Sequence, residues 1–338
     1  ADPKQDPGTV VFFDTDGTYL NQVAAGALPD MLIFTPDGNT VLAANEGEPN
    51  DAYTNDPEGS VTIIDISSGV ASATVRQAGF AQFNAQEAAL KAAGVRIYGP
   101  GATVAQDMEP EYIAVSSDSS TAWIACQENN AVAVLDIAAG MITDIFPIGY
   151  KDHSLAVNGI DASNKDDIIN IVPYANVLGM YQPDAMASFE VDGQTYLITA
   201  NEGDSRDYDG FSEEDRVKDL TLDPAAFPDA AALQESDVLG RLKITTTMGE
   251  GSNGYETLYS YGGRSFSIFA PDATGLNMVF DSADQMEQLT AAMLPADFNS
   301  NNDENDSFDA RSDDKGPEPE AVTVGQIDGS LYAFIGLE

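Results

Sequence analysis

Pro29-Asp30-Met31-Leu32-Ile33-Phe34-Thr35-Pro36-Asp37-Gly38, followed by a second apolar run that closes on Asn45-Glu46-Gly47, reads as a hairpin with a carboxylate at each end. Asp-Gly between two apolar runs favours a tight reversal, because glycine tolerates positive φ and aspartate bonds its own backbone. Antiparallel pairing sets the start of the first strand beside the end of the second. Asp30 and Glu46 therefore fall on one edge. The unit recurs three times. Pro110-Glu111 leads through Ser117-Asp118-Ser119 to Glu128, Pro183-Asp184 through Asp192-Gly193 to Asn201-Glu202-Gly203, and Pro319-Glu320 through Asp328-Gly329 to Glu338. Acid and closing Glu stand 16, 17, 18 and 18 residues apart.

Third strands follow at Ser60–Ile66 and Ala131–Ile137, and a looser fourth at Ala73–Arg76. Four-stranded units repeated along a chain predict an all-β fold, a β-propeller with four-stranded blades whose first strands line the channel. The leading acids then gather round one mouth. A β-sandwich with chance internal similarity is the alternative. We read one domain over 1–338, with insertions at 80–109, 203–240 and 297–318. The apolar, strand-like segments at Val10–Asp14 and Leu331–Gly336 predict a partial propeller that is seven-bladed when complete. The span Tyr255–Phe280 is assigned to a further, unmarked blade. Short helices are expected at Asn84–Ala93, capped by Asn84, and at Ser282–Met293.

The 338 residues carry 56 Asp plus Glu against 14 Lys plus Arg, a formal net charge of −42. Such a surface repels phosphate backbones and anionic lipid heads, which excludes nucleic acid as a partner and favours divalent cations or a saline medium. No run approaches the ~18 apolar residues of a spanning helix. The single cysteine, Cys126, rules out an intrachain disulfide framework and a Cys-based zinc site, and it sits in an apolar strand.

Four motifs carry a family resemblance. They are Ala44-Asn45-Glu46-Gly47-Glu48-Pro49-Asn50-Asp51, Ala200 to Tyr208, Gly262-Gly263-Arg264-Ser265-Phe266-Ser267-Ile268, and Arg311 to Glu320. The chain resembles the choice-of-anchor I family, secreted bacterial β-propeller proteins similar to the sea-urchin mesenchyme-specific cell-surface glycoprotein. That resemblance implies an extracellular, cell-surface or periplasmic location, further propeller sequence on both sides, and calcium. Some members have been called atypical alkaline phosphatases.

The rim set is Asp30, Glu46, Glu111, Glu128, Asp184, Glu202, Glu320 and Glu338. Converging carboxylates are costly unless protons or a cation neutralise them. Oxygen-only ligands point to Ca²⁺, with Mg²⁺ or Mn²⁺ behind it; strand-end caps are the bland alternative. Arg206 and Arg264 each follow a glycine-bearing motif and are candidate phosphate clamps, or else internal salt bridges. His153, the sole histidine, is a third catalytic candidate or a structural residue. Asp297, Asn299, Asn301 and Asp303 alternate as in a calcium loop, although the EF-hand glycine and glutamate are missing. Asn305-Asp306-Ser307 fits a glycosylation sequon.

Two functions follow. One is a calcium-binding surface or matrix protein that mediates binding to other surface proteins. The other is a metal-dependent phosphoester hydrolase acting on phosphorylated small molecules at the propeller mouth. For the first, chelation should lower the melting temperature, and Ca²⁺ should restore it better than equal ionic strength of Na⁺. Neutralising Glu46 or Glu202 should weaken that response more than neutralising Asp161, read as a scattered acid. An unchanged melting curve after confirmed metal removal would refute the calcium reading.

Overall fold

The computed structural model describes residues 3–304 and 306–338. The sequon asparagine, Asn305, lies outside them. The chain opens with an antiparallel hairpin of β1 (Pro7–Phe13) and β2 (Tyr19–Ala27). A four-stranded meander follows: β3 (Pro29–Phe34), β4 (Thr40–Asn45), β5 (Ser60–Asp65) and β6 (Thr74–Gly79), paired in chain order. A connection bearing α1 (Glu87–Ala93) and α2 (Val104–Asp107) leads to a second meander. Its strands are β7 (Tyr112–Val115), β8 (Thr121–Cys126), β9 (Ala131–Asp136) and β10 (Met141–Pro147).

The chain then leaves the pattern through β11 (Tyr150–Asp152) and β12 (Val177–Met180), and returns with β13 (Met186–Val191) and β14 (Gln194–Asn201). A long excursion comes next. It contains β15 (Asp207–Tyr208), β16 (Phe211–Ser212), β17 (Glu214–Arg216), α3 (Ala230–Leu233), β18 (Lys243–Thr245), β19 (Glu250–Gly251), β20 (Gly254–Tyr255) and β21 (Leu258–Ser260). β22 (Ser265–Asp272) and β23 (Gly275–Asp281) then complete a third sheet in the order β13-β14-β22-β23. After α4 (Gln285–Met293), β24 (Pro319–Ile327) and β25 (Ser330–Leu337) form a final hairpin. No helix among the described residues is long and apolar enough to cross a membrane.

The first strands pack side by side, β3 against β7, β7 against β13 and β13 against β24. Consecutive sheets also pack face to face. Val10 and Phe12 meet Val41 and Ile64, Leu42 and Ile63 meet Ile113 and Ile124, Trp123 and Val132 meet Met186 and Leu197, and Ile198 meets Val322. β1 shows the alternation of a half-covered strand, whereas five consecutive residues are buried in each of β4, β8 and β14. A sheet covered on both faces loses the period-two pattern.

Three features differ from the sequence reading. The unmarked blade is not separate: β22 and β23 are the outer half of the third sheet, displaced from β14 by the excursion. A shared clamp explains the pairing. Buried Asn45 donates to the Thr62 hydroxyl at 2.9 Å and the Ser60 carbonyl at 3.0 Å, and accepts from the Gly26 amide. Asn201 repeats this on the Ser267 and Ser265 hydroxyls, at 2.8 and 3.2 Å. Next, β11 and β12 join β21, β18 and β17 in a five-stranded mixed sheet, with β12 and β21 parallel. That sheet has its own core, including Val177, Phe227, Leu242, Ile244 and Leu258. Finally, Asn84 does not cap α1. Residues Ala81–Gln86 form a 3₁₀ turn, and the Asn84 side chain accepts from the Ala105 amide instead.

Replacing Asn201 with alanine removes donors and an acceptor from a buried network, leaving the Ser265 and Ser267 hydroxyls with Asp281 alone. The expected loss is about 2–3 kcal/mol in urea unfolding, against less than about 0.5 kcal/mol for the exposed Ser68→Ala. Equal losses would show that the asparagine does not clamp the third strand.

Candidate metal-binding rim

Hairpin geometry delivers the eight predicted carboxylates. Asp30 and Glu320 are the second residues of β3 and β24, and Glu111 immediately precedes β7. Glu46, Glu202 and Glu338 immediately follow β4, β14 and β25. Backbone bonds hold both ends of each bracket: the amides of Glu46, Glu111, Asp184 and Glu338 donate to Leu28, Ala125, Ala200 and Glu318 carbonyls. Gly203 turns the chain away behind Glu202 at φ 94°, where a Cβ would lie 2.1 Å from the Gly262 amide nitrogen.

The acids face one another. Glu111, Glu128 and Glu202 are buried, Glu46 and Asp184 half-buried, and Asp30, Glu320 and Glu338 exposed. Burial, then repulsion by Glu48, Glu128 and Asp30, pushes Glu46 up to about 9. Burial, then Glu202, Glu320 and Asp30, pushes Asp184 up to about 7. Glu111 rises well above the carboxylate range through burial and the neighbouring Glu128. Glu128 reaches about 7, its burial opposed by Arg206. Partial desolvation also raises Asp30 and Glu338, with Glu48 and Glu318 adding to each. Burial and like charge both favour the protonated carboxyl, and a cation bound among these groups would oppose both effects.

Two arrangements within the rim differ chemically. Glu111 and Glu128 lie close enough for each to shift the other's carboxyl, and Glu111 Oε2 and Glu128 Oε2 are buried and receive no hydrogen bond; Glu109 Oε1 is likewise buried and unpartnered. Unsatisfied carboxylate oxygens are the ligand type a hard divalent cation takes, although among the described residues no third ligand atom lies within 4.8 Å of both members of this pair. The second arrangement joins Glu202 and Glu338 to Glu318, with one oxygen of each within 4.8 Å of the others. Here side chains already supply positive charge. Lys315 lies 2.5 Å from Glu202 and 3.6 Å from Glu318, and the Arg311 guanidinium bonds both Glu318 oxygens. Glu318 was not in the predicted set, although its motif places it two residues before Glu320 and three after Lys315.

The other candidates sit elsewhere. Arg206 is 1% exposed; it bonds the Asp107 carboxylate at 3.1 Å and Glu109 at 2.9 Å, and its guanidinium stacks 4.5 Å from the Tyr98 ring. Arg264 donates to Glu287 at 2.6 Å and to the carbonyls of Asp161, Ser312 and Asp314. Both are internal salt bridges, the alternative left open by the sequence. His153 is buried against Gly179, its Nδ1 is 2.8 Å from the Asn158 carbonyl, and burial pushes it down to about 3. In the acidic loop, Asp297 and Asp303 are exposed and Asn301 accepts from the Asp303 amide, whereas Asn299 turns inward.

Known proteins can be set against this geometry. The chain is 29% identical over 307 residues to the mesenchyme-specific cell surface glycoprotein of Strongylocentrotus purpuratus, covering 78% of this chain and 39% of that protein. It is 35% identical over 112 residues to gigasin-3a of Magallana gigas, covering 32% of this chain and 39% of that protein. The chain thus spans about two fifths of the length of both curated relatives. Among solved structures, the periplasmic gluconolactonase PpgL of Pseudomonas aeruginosa aligns over 81% of this chain and 63% of its own, with a TM-score of 0.32 and 15% identity. A functionally unknown protein from Desulfotomaculum acetoxidans aligns over 81% of this chain and 76% of its own, with a TM-score of 0.30 and 12% identity. The choice-of-anchor I domain model matches residues 1–338 from end to end, and the chain belongs to that family.

Proposed function

We propose that this is an extracellular or cell-surface protein whose meanders are blades of a β-propeller. Its carboxylate mouth binds Ca²⁺ and, through it, mediates contact with other surface or matrix proteins. The observation that carries the reading is the Glu111–Glu128 pair, buried among further acids with unpartnered oxygens. Family membership and a relative named as a cell surface glycoprotein support the location. The phosphoester-hydrolase alternative loses its two arginine candidates, because Arg206 and Arg264 are engaged inside the protein.

The pH dependence tests this with a definite sign. A group whose carboxyl pKa is raised on folding binds more protons folded than unfolded, so stability falls as pH rises between the two values. For Glu46, Glu128 and Asp184 the window opens near the ordinary 4–4.5 and closes at about 9, 7 and 7. In chelator, the melting temperature should therefore decline from about pH 5 towards pH 9. Added Ca²⁺ should raise it most at the alkaline end, where the cation no longer competes with protons. The Glu111→Gln/Glu128→Gln double variant should flatten the slope and lose most of the Ca²⁺ response. A calcium response of equal size in that variant would overturn the rim assignment.

A further inference from the structure

We infer that Asp161, Asp166 and Asp309 form a second Ca²⁺ site, separate from the rim, which ties the β11–β12 connection to the loop between α4 and β24. One carboxylate oxygen from each lies within 4.8 Å of the others. An ion with ligands at about 2.3–2.6 Å reaches all three at that spacing. Asp161 had read as a scattered acid, and the structure corrects that.

An acidic triangle alone proves nothing, and the partners of these groups decide the matter. Asp309 is 3% exposed. Its Oδ1 accepts the Ser312 hydroxyl at 2.5 Å, while Oδ2 is buried and receives no hydrogen bond. Asp166 is built the same way: one oxygen takes a long bond from the Ile168 amide, and Oδ2 is buried and unpartnered. Asp161 is oriented by the backbone, its two oxygens accepting the Ser163 and Asn170 amides at 3.3 and 2.6 Å. A further buried oxygen is linked to Asp309 through Ser312. Asn299, 4% exposed, donates its amide to Ser312 at 2.9 Å and leaves Oδ1 buried without a donor. Ser312 thus fixes which oxygens of Asn299 and Asp309 stay free. A buried acceptor left without a donor costs about 1–3 kcal/mol, more when charged, and two on one carboxylate triangle call for a ligand that accepts oxygen lone pairs.

No side chain fills that role. Among the described residues, none of the three carboxylates is paired with a lysine or arginine. The nearby Arg264 bonds the Asp161 carbonyl, not its carboxylate, and is otherwise held by Glu287, Ser312 and Asp314. This is the contrast with Glu202, Glu318 and Glu338, where Lys315 and Arg311 already sit on the acids. Three carboxylates, with neither sulfur nor imidazole, select a hard cation, and their irregular spacing on two loops suits calcium better than octahedral magnesium. The ion would join at the carboxylates the same two loops that Arg264 joins at their carbonyls.

The exposed Lys165, next to Asp166, gives a local readout. Trypsin cleavage after Lys165 is followed with and without Ca²⁺ in the whole chain, in Asp166→Asn, in Asp309→Asn, and in the Glu111→Gln/Glu128→Gln rim variant. With Ca²⁺ at about ten times its dissociation constant, mass action should slow cleavage about tenfold in the parent chain. The rim variant should keep that protection, so failure at the rim and failure here are told apart. Asp166→Asn and Asp309→Asn should lose it and bind one Ca²⁺ fewer in equilibrium dialysis. The Asp309→Asn change keeps an oxygen that can accept from Ser312, and the half-buried Asp166 gives a second, milder variant should the first not fold. Unchanged Ca²⁺ protection and stoichiometry in a folded variant, or no protection in the parent chain, would overturn the proposal.

Discussion

A sheet that is apolar on both faces cannot leave either one in water, and this constraint organises the protein. The inner strands β4, β8 and β14 are buried almost along their lengths, so each meander needs a neighbour on both sides. Stacking supplies it: Trp123 and Val132 on one sheet close over Met186 and Leu197 on the next. Each such side chain contributes about 1.5–3 kcal/mol when removed from water. Once the sheets stack, their first strands lie side by side and the residues that bracket them arrive at one end. The rim acids are not drawn together by any attraction of their own. Apolar burial a few residues away carries them out of water and into mutual repulsion, and the two together appear, burial first, as the raised pKa of Glu46 and Asp184.

Local signals carried the part of this that could be read from sequence. Asp37-Gly38, Asp192-Gly193 and Asp328-Gly329 announce their hairpins because a turn is decided within four residues. The pairing of β14 with β22 is decided across more than sixty residues, and no periodicity spans that gap. A faint signal exists nonetheless. Ser265 and Ser267 stand to Asn201 as Ser60 and Thr62 stand to Asn45, in alternate positions on the next strand facing a buried amide. The mixed sheet gave less warning, since its strands of three or four residues come from both sides of β13 and β14.

The site divides the same way. Acids at hairpin ends were placed by register and so were legible. Glu318 and the Asp161 cluster depend on how long loops fold back, which spacing does not encode. Of the two readings open for Arg206 and Arg264, the internal one holds for a specific reason. Glycine beside an arginine suggested backbone approach to a ligand, but Gly203 and Gly262 approach each other: a Cβ on Gly262 would lie 1.9 Å from the Glu202 carbonyl oxygen. The close contact is chain on chain, and the arginines beside it brace the crossing.

That bracing determines how the remaining charge is handled. Arg96 pairs with Glu213, Arg206 with Asp107 and Glu109, Arg264 with Glu287, and Lys151 with Asp281, all on buried basic side chains. Breaking a buried pair strands the partner's charge and costs about 3–5 kcal/mol, so these cations cannot be released to the rim. With only 14 basic residues in the chain, and several fixed inside, the protein has few internal counter-ions for its mouth. Lys315 and Arg311 serve one edge of it, around Glu202 and Glu318. At the Glu111–Glu128 edge the nearby Arg206 is committed to Asp107 and Glu109, and Arg96 reaches only the Glu128 carbonyl, so the carboxylates themselves are left to protons or to ions from solution. Protons suffice at low pH. As pH rises through the raised carboxyl values they leave, and repulsion at the rim grows; in the proposed function a divalent cation then takes their place. The distribution of its few basic residues thus makes the stability of the fold depend on the medium around it.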